Sequence, residues 1–311
     1  MHRKVTRPLG EAALENPPVH ARPFLRLLSS IRWDEVLVLQ GAPLIGACFT
    51  LRALTINNLL ALAVFGFASC CLVAHVFALN DWSGIDGDLR DPKRAAQTFF
   101  AKGVNRFAFG MFAMGLLAPS LLIFAIIGKS TLILAVAIAG LGALYSVRLF
   151  NVKGKPVFNS LLHLVGGMLH FLLGYAMWAV LDVRAVAIGC FFGLVFTAGH
   201  INHETRDYEA DLVNGIRTNA VAYGKAPAFV AGLVLFTIAY ALLAALALCG
   251  VLPRILVAAA MLYPLHLYAS LQALRGGLEF ESLRRLQMGY RLLYAMIGIV
   301  MVAANWLDRT I

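Results

Sequence analysis

The chain has 311 residues, of which 60% are hydrophobic and only 14% are charged, and its formal net charge is +10. A soluble domain is about one-quarter charged, and one with this composition would expose large apolar patches. The low charge content excludes a disordered chain, and no basic face with interleaved aromatic residues indicates nucleic-acid binding. The composition therefore predicts an integral membrane protein.

Residues 1–33 are polar and rich in arginine and proline, which predicts a cytoplasmic N-terminal tail. The basic start is not followed by an apolar stretch with a small-residue cleavage site, so a signal peptide is not expected. Residues 23–31 end this tail with a short stretch that we expect to lie on the membrane surface.

Nine apolar segments long enough to cross a bilayer follow in residues 34–311. Very short connections, such as 128–130 and 181–184, predict antiparallel neighbours in a compact helical bundle. The apolar runs are continuous, unlike the alternating pattern of outer-membrane strands. The predicted fold class is an all-α membrane domain of about nine transmembrane helices. The segments are 34–51, 56–80, 104–127, 130–149, 157–181, 184–203, 226–250, 252–273 and 287–306.

Basic residues indicate which side of the membrane each loop occupies. With the N-terminus in the cytoplasm, all but five of the 26 Lys and Arg lie on the cytoplasmic side, as the positive-inside rule requires. We therefore expect a multi-pass protein, in a bacterial inner membrane by this interpretation. The five exceptions are Arg52, Lys129, Arg184, Arg254 and Arg309.

Half of the sixteen acidic residues occupy two short windows, each at the cytoplasmic end of a predicted span. The first window, with the residue before it, places Asn80 and Asp88 on one helical face, and the second spaces Asp207 and Asp211 four residues apart. Like charges on one face repel, so these carboxylates favour a bound cation. Oxygen ligands at helix ends are typical of Mg²⁺ sites that substrate phosphates complete. The windows are 81–91 and 204–211.

Basic residues follow each acidic window, and a further group lies near residue 150. Carboxylates that hold a metal, with cations around them, form a site for a diphosphate. The positive-inside rule alone explains some of these cations. The candidate phosphate contacts are Lys93, Arg94, Arg148, Lys153 and Arg217.

At these residues the sequence resembles the UbiA superfamily of intramembrane prenyltransferases. The family patterns are N-D-x-x-D-x-x-x-D after the second helix and D-x-x-x-D after the sixth, within a nine-helix bundle. Asn80, Asp81 and Asp88 match the first pattern, and Asp207 and Asp211 match the second. Further segments similar to the family are 41–46, 91–94, 144–146 and 215–218.

Gly84 stands where the family has the middle acid of the first pattern, so one expected metal ligand is absent. Asp81 and Asp86 are close in sequence, but neither shares the face of Asn80 and Asp88, because each helical residue turns about 100°. The change leaves open a weakened metal site, an atypical substrate, or a chain that binds without catalysis.

The resemblance implies a Mg²⁺-dependent enzyme that ionises a prenyl diphosphate, transfers the prenyl group to an acceptor and releases diphosphate. Its implied partners are the prenyl diphosphate, a lipid-soluble acceptor and membrane lipids, and its site is expected to open toward the cytoplasm. Aromatic faces would stabilise the prenyl cation. The implied catalytic residues are Asp88, Asp207, Asp211 and Tyr145; the metal ligands are Asn80 and the same three aspartates; the substrate contacts are Asn80, Asp81, Lys93, Arg94, Arg148, Lys153, Tyr208 and Arg217.

Other functions stay open on the sequence alone. Within the superfamily these are cyclisation of the prenyl cation and phosphoribosyl transfer to a polyprenyl phosphate. A non-catalytic lipid-binding or transport protein is disfavoured, because the polar clusters lie at helix ends and not at mid-membrane. His203 and Glu204 are candidates to orient an acceptor or to take its proton.

Overall fold

The computed structural model describes residues 23–90, 92–147, 149–150 and 152–310, with the side chains of residues 92, 93 and 308–310 left out. The predicted tail lies mainly outside this described part. Within it, the regular elements are all helical, which confirms the predicted all-α class.

Fifteen α-helices follow one another in the described residues. They are α1 (Pro23–Ser29), α2 (Trp33–Val38), α3 (Gly41–Thr50), α4 (Ile56–Asp88), α5 (Pro92–Ala95), α6 (Arg106–Ile127), α7 (Lys129–Ser146), α8 (Phe158–Tyr175), α9 (Val183–Arg206), α10 (Tyr208–Val213), α11 (Asn219–Tyr223), α12 (Lys225–Leu248), α13 (Leu256–Ala260), α14 (Tyr263–Arg275) and α15 (Phe280–Thr310). A 3₁₀ turn (Val152–Gly154) precedes α8.

Among the described residues, seven helical segments are long and apolar enough to cross a membrane. Six of them are single helices, namely α4, α6, α7, α9, α12 and α15. The seventh consists of α13 followed by α14. The two remaining predicted segments are helical but do not meet both criteria. Segment 34–51 is divided into α2 and α3, and Pro43 lies in the first turn of α3, where proline is tolerated. Helix α8 is 18 residues long and carries Asn159, His163 and His170, which lower its hydropathy. The predicted count of nine spans is therefore not confirmed.

Two helix boundaries differ from the prediction and affect the acidic windows. Helix α4 continues to Asp88 instead of ending near residue 80, so most of the first window is helical. Helix α9 ends at Arg206, and Asp207 forms the joint with α10. The backbone N–H of Asp211 still donates to the carbonyl of Asp207 at 2.9 Å, which preserves the helical spacing of the two carboxylates.

Close backbone contact joins α3 to α8, two helices that pack extensively on each other. A Cβ atom at Gly174 would lie 1.8 Å from the carbonyl oxygen of Pro43, and one at Gly46 would lie 2.2 Å from that of Phe171. Only glycine fits at either position, because these distances leave no room for any side chain. The two helices thus form one rigid wall of the bundle.

Candidate functional site

The guanidinium of Arg94, in the short helix α5, joins the two acidic windows. Its Nη1 lies 3.6 Å from Oδ1 of Asp88, and its Nη2 donates to Oδ2 of Asp207 at 3.3 Å. One planar guanidinium can reach both oxygens only if the two carboxylates are neighbours. Two windows that are far apart in the sequence therefore form a single site at one end of the bundle.

The two carboxylates of the second window have different environments. Burial opposes ionisation of Asp207, but its 2.9 Å hydrogen bond from Arg206, and the charges of Arg206 and Arg94, outweigh burial and lower its pKa. Asp211 is only 5% exposed, and burial raises its pKa to about 6, although the charge of Lys153 opposes the shift. A cation at this site would favour the ionised form of both.

The oxygen ligands predicted for a divalent cation are the carboxylates of Asp88, Asp207 and Asp211 and the amide oxygen of Asn80. Arg94 joins Asp88 to Asp207, and Asp211 is close enough to Asp207 for their charges to interact. In the described part of the chain, no three acidic, His or Cys side chains lie close enough to hold one ion by themselves. This donor set fits Mg²⁺, which is usually held by one or two carboxylates with water and phosphate oxygens completing its octahedron.

The two acids near Gly84, Asp81 and Asp86, are both paired with arginines. Arg32 binds Asp81 through both carboxylate oxygens, with Nε donating to Oδ2 at 3.1 Å. Asp86 pairs with Arg106 at 3.5 Å on the exposed side of α4. Asp81 is nevertheless close enough to Asp88 for their charges to interact. Sequence reasoning missed Arg32 because it lies in the predicted tail, and only the folded chain brings it to α4.

An apolar cavity of about 130 Å³ extends from Asn80 into the bundle. Tyr145 and His163 line it, and their rings meet edge to face with centroids 5.0 Å apart. The His163 ring stacks on that of His200 with centroids 3.4 Å apart. Tyr145 thus forms part of the aromatic lining of this cavity.

Behind this cavity lies a buried polar network that the sequence did not reveal. Glu204 is 4% exposed and accepts hydrogen bonds from the backbone N–H of Asn219 at 3.0 Å, from the Asn219 amide at 2.8 Å and from the Asn159 amide. Nε2 of His200 lies 3.1 Å from the same carboxylate. The network joins α8, α9 and α11.

His203 belongs to a different environment from Glu204, although the two are adjacent in sequence. Its ring contacts Gln287 and Arg291 of α15, whereas Glu204 faces α8 and α11. Arg291 also donates to Glu35 at 2.6 Å, which ties α15 to α2. The two side chains therefore contact different helices.

The other predicted contacts are distributed around the site. Lys153, in the 3₁₀ turn, is close enough for its charge to act on Asp211. Tyr208 begins α10, and Nζ of a lysine in α12 lies 5.7 Å from its ring centroid. Arg217 is exposed and forms no ion pair with any carboxylate that the structure describes. Arg148 and the side chain of Lys93 lie outside the described residues.

Most of the chain matches the model of one protein family. The model of the UbiA prenyltransferase family matches residues 42–281. This chain belongs to the UbiA prenyltransferase family. The resemblance seen in the sequence is thus confirmed, and the match contains all the candidate UbiA site residues. No curated protein matches the sequence significantly.

Solved structures of UbiA proteins share this fold. A UbiA homolog from Archaeoglobus fulgidus bound to DMAPP and Mg²⁺ superposes with a TM-score of 0.69 and 18% identity, covering 91% of this chain and 99% of that chain. A UbiA homolog from Aeropyrum pernix K1 gives 0.66 and 18%, with 90% and 100% covered. A structure of digeranylgeranylglyceryl phosphate synthase gives 0.68 and 17%, with 91% and 98% covered. Identities this low establish the UbiA fold alone.

Proposed function

We propose that this UbiA family member is an intramembrane prenyltransferase, which ionises a prenyl diphosphate with Mg²⁺ and transfers the prenyl group to a lipid-soluble acceptor. The observation that carries the proposal is the junction of Asp88 and Asp207 through Arg94, beside an apolar cavity. The A. fulgidus homolog bound to DMAPP and Mg²⁺ supports the choice of substrate and metal.

Each part of the site has a role in this reaction. Asp88, Asp207 and Asp211, with Asn80, would hold Mg²⁺, which supplies positive charge to the departing diphosphate. Arg94 and Lys153 neutralise further phosphate oxygens, and the cavity keeps water away from the prenyl chain. Tyr145 presents its ring to the cation formed at the allylic carbon. Arg94 exchanges its carboxylate partners for phosphate when substrate binds.

We also propose how the chain is arranged in the membrane. Helices α3 and α8 pack against the longer helices and complete a bundle of nine spans from residue 34 onward, preceded by a cytoplasmic tail. The acidic site then opens toward the cytoplasm, in keeping with the distribution of Lys and Arg. The membrane is a bacterial inner membrane in this proposal.

The test is diphosphate release by the purified full-length chain with Mg²⁺ and prenyl diphosphates of several lengths, with and without membrane lipid extract as an acceptor source. Release should require Mg²⁺ and should fall at least a hundredfold in Asp207→Asn and Asp211→Asn, since loss of a charged ligand weakens the site. Asp86→Asn is the matched control, because Asp86 lies in the same region but pairs with Arg106.

The outcomes separate the competing functions. Release without Mg²⁺, or equal release by the two aspartate variants and the wild type, would contradict the proposed site. Binding of prenyl diphosphate without release would favour the lipid-binding or transport alternative. A cyclised hydrocarbon formed without an acceptor would identify the cyclase, and a ribosylated polyprenyl phosphate the phosphoribosyltransferase.

A further inference from the structure

A second cavity, of about 200 Å³, lies at the opposite end of the bundle from the acidic windows. Arg52, which follows α3, and Arg184, in the first turn of α9, line it together with Trp178. Helix α9 then runs to Arg206, so Arg184 lies about 33 Å from the acidic site at 1.5 Å per residue. This separation slightly exceeds the thickness of a bilayer core, which is about 30 Å. The two cavities therefore face opposite membrane interfaces.

Both arginines at this cavity are exposed, and neither forms an ion pair with a carboxylate that the structure describes. Nε of Arg184 donates to the carbonyl of Val251 at 3.0 Å, which fixes the side chain and leaves its terminal nitrogens available. Phosphate matches the planar donor geometry of a guanidinium, and two such groups that line one cavity offer it more donors than either group alone.

The surroundings of the cavity indicate the source of such an anion. Apolar side chains next to it in sequence are strongly exposed: Leu54 at 66%, Val180 at 89% and Val183 at 85%. Trp178 and Tyr175 in the lining are typical of the membrane interface. The cavity, of about 200 Å³, is large enough for a phosphate group and too small for a whole phospholipid. It suits a headgroup whose chains lie outside, along the exposed apolar residues.

We propose that Arg52, Arg184 and Trp178 form a binding site for a phosphate group, supplied by a phospholipid in the leaflet opposite the acidic site. The site is independent of the prenyl-transfer reaction. A lipid bound there contacts the ends of α3, α8 and α9 and holds them together.

The lipid is tested by tryptophan fluorescence of the full-length protein in zwitterionic detergent micelles. Phosphatidylglycerol with brominated chains is titrated into the micelles. The fluorescence of Trp178 is obtained by subtracting the fluorescence of Trp178→Phe from that of the wild type. We expect saturable quenching at a low lipid fraction and weaker quenching by brominated phosphatidylcholine. Arg52→Gln should raise the half-saturating lipid fraction about fivefold, since a basic residue near an anionic headgroup contributes about 1 kcal/mol.

A second arm distinguishes a lipid from a free anion. Inorganic phosphate is titrated while thermal unfolding is followed; stabilisation that is lost in Arg52→Gln, without saturable lipid quenching, would assign the phosphate site to a free anion. Arg254→Gln is the matched control, since Arg254 lies on the same side but does not line the cavity. Arg52→Gln leaves the bond between Arg184 and Val251 intact, so it should fold. Equal responses of the wild type and Arg52→Gln in both arms would overturn the proposal.

Discussion

Gly84 separates this site from its family at the level of one residue. A Cβ atom at this position would meet only Oδ2 of Asp88, at 3.8 Å, so a carboxylate fits beside the existing ligands. Gly84→Asp should lower the Mg²⁺ concentration for half-maximal diphosphate release several-fold, because each carboxylate adds a charged ligand. Diphosphate release by the wild type and by Gly84→Asp, measured over a range of Mg²⁺ concentrations, gives the half-maximal concentration of each.

The neutral variant Gly84→Asn separates ligand charge from side-chain size. It removes the helix-interior glycine without adding charge, so it should gain up to about half a kcal/mol of helix stability and keep the wild-type Mg²⁺ requirement. If Gly84→Asp needs as much Mg²⁺ as the wild type, position 84 does not face the metal.

Asn219 has a structural role that can be measured apart from activity. Its amide donates to Glu204, and its oxygen accepts from the backbone N–H of Val157 at 2.8 Å. Asn219→Ala leaves a buried carboxylate and a backbone N–H short of partners, which should lower the free energy of unfolding by about 2–3 kcal/mol. Unfolding in sodium dodecyl sulfate measures this loss. Ser160→Ala, which removes two peripheral bonds but leaves Glu204 its partners, should cost less than half as much. Similar losses would contradict the assigned role.

Several site residues could be predicted because acids are scarce in this sequence. Asp88, Asp207 and Asp211 stand out against an apolar background, and Asp88 with Asn80, like Asp207 with Asp211, has helical spacing, so the sequence alone marks them as candidates. Arg32 and Asn219 could not be predicted in the same way. Their roles depend on partners distant in sequence, Asp81 and Glu204, and nothing local marks an arginine or an asparagine as bonded to one particular acid.

At the scale of elements, the packing of α3 on α8 gives a steric prediction. Gly174→Ala places a methyl group 1.8 Å from the carbonyl oxygen of Pro43, so the helices must separate. The free energy of unfolding should fall by about 3 kcal/mol or more, in the upper range for overpacked cores. Gly140→Ala on α7 is the matched control, because a Cβ atom there meets nothing within 4 Å. Equal thermal stability of the two variants would contradict the contact.

The helical segments themselves were predictable from continuous apolar runs, but their ends were not. The sequence pattern places the end of the second span near residue 80, where apolar residues stop. The helix continues to Asp88 because its backbone hydrogen bonds form without apolar side chains, and the glycines at 84 and 87 do not interrupt it. Hydropathy identifies only the part of a helix that lies in the hydrocarbon. The polar part of a helix that extends beyond it cannot be predicted from hydropathy.

For the whole molecule, the orientation can be tested with single cysteines in a background lacking the five native ones. The exposed positions Ser130 and Val213 lie at opposite ends of the bundle by the proposed topology. A membrane-impermeant maleimide applied to intact cells should label Ser130→Cys and leave Val213→Cys unlabelled until the membrane is opened. The reverse pattern would place the acidic site on the outer face.

If the protein acts as proposed, the length of α4 determines how a prenyl diphosphate reaches the site. The 33 residues of α4 span about 50 Å, well beyond a hydrocarbon core of about 30 Å, so in the proposed arrangement the acidic end of this helix lies among the lipid headgroups. A prenyl diphosphate dissolved in the bilayer already has its charged group at that level and its chain in hydrocarbon. Lateral diffusion brings it to the protein, and moving the chain from lipid into an apolar cavity changes its solvation little. Longer chains therefore gain almost no affinity from hydrophobicity, and selection among them follows the depth of the cavity.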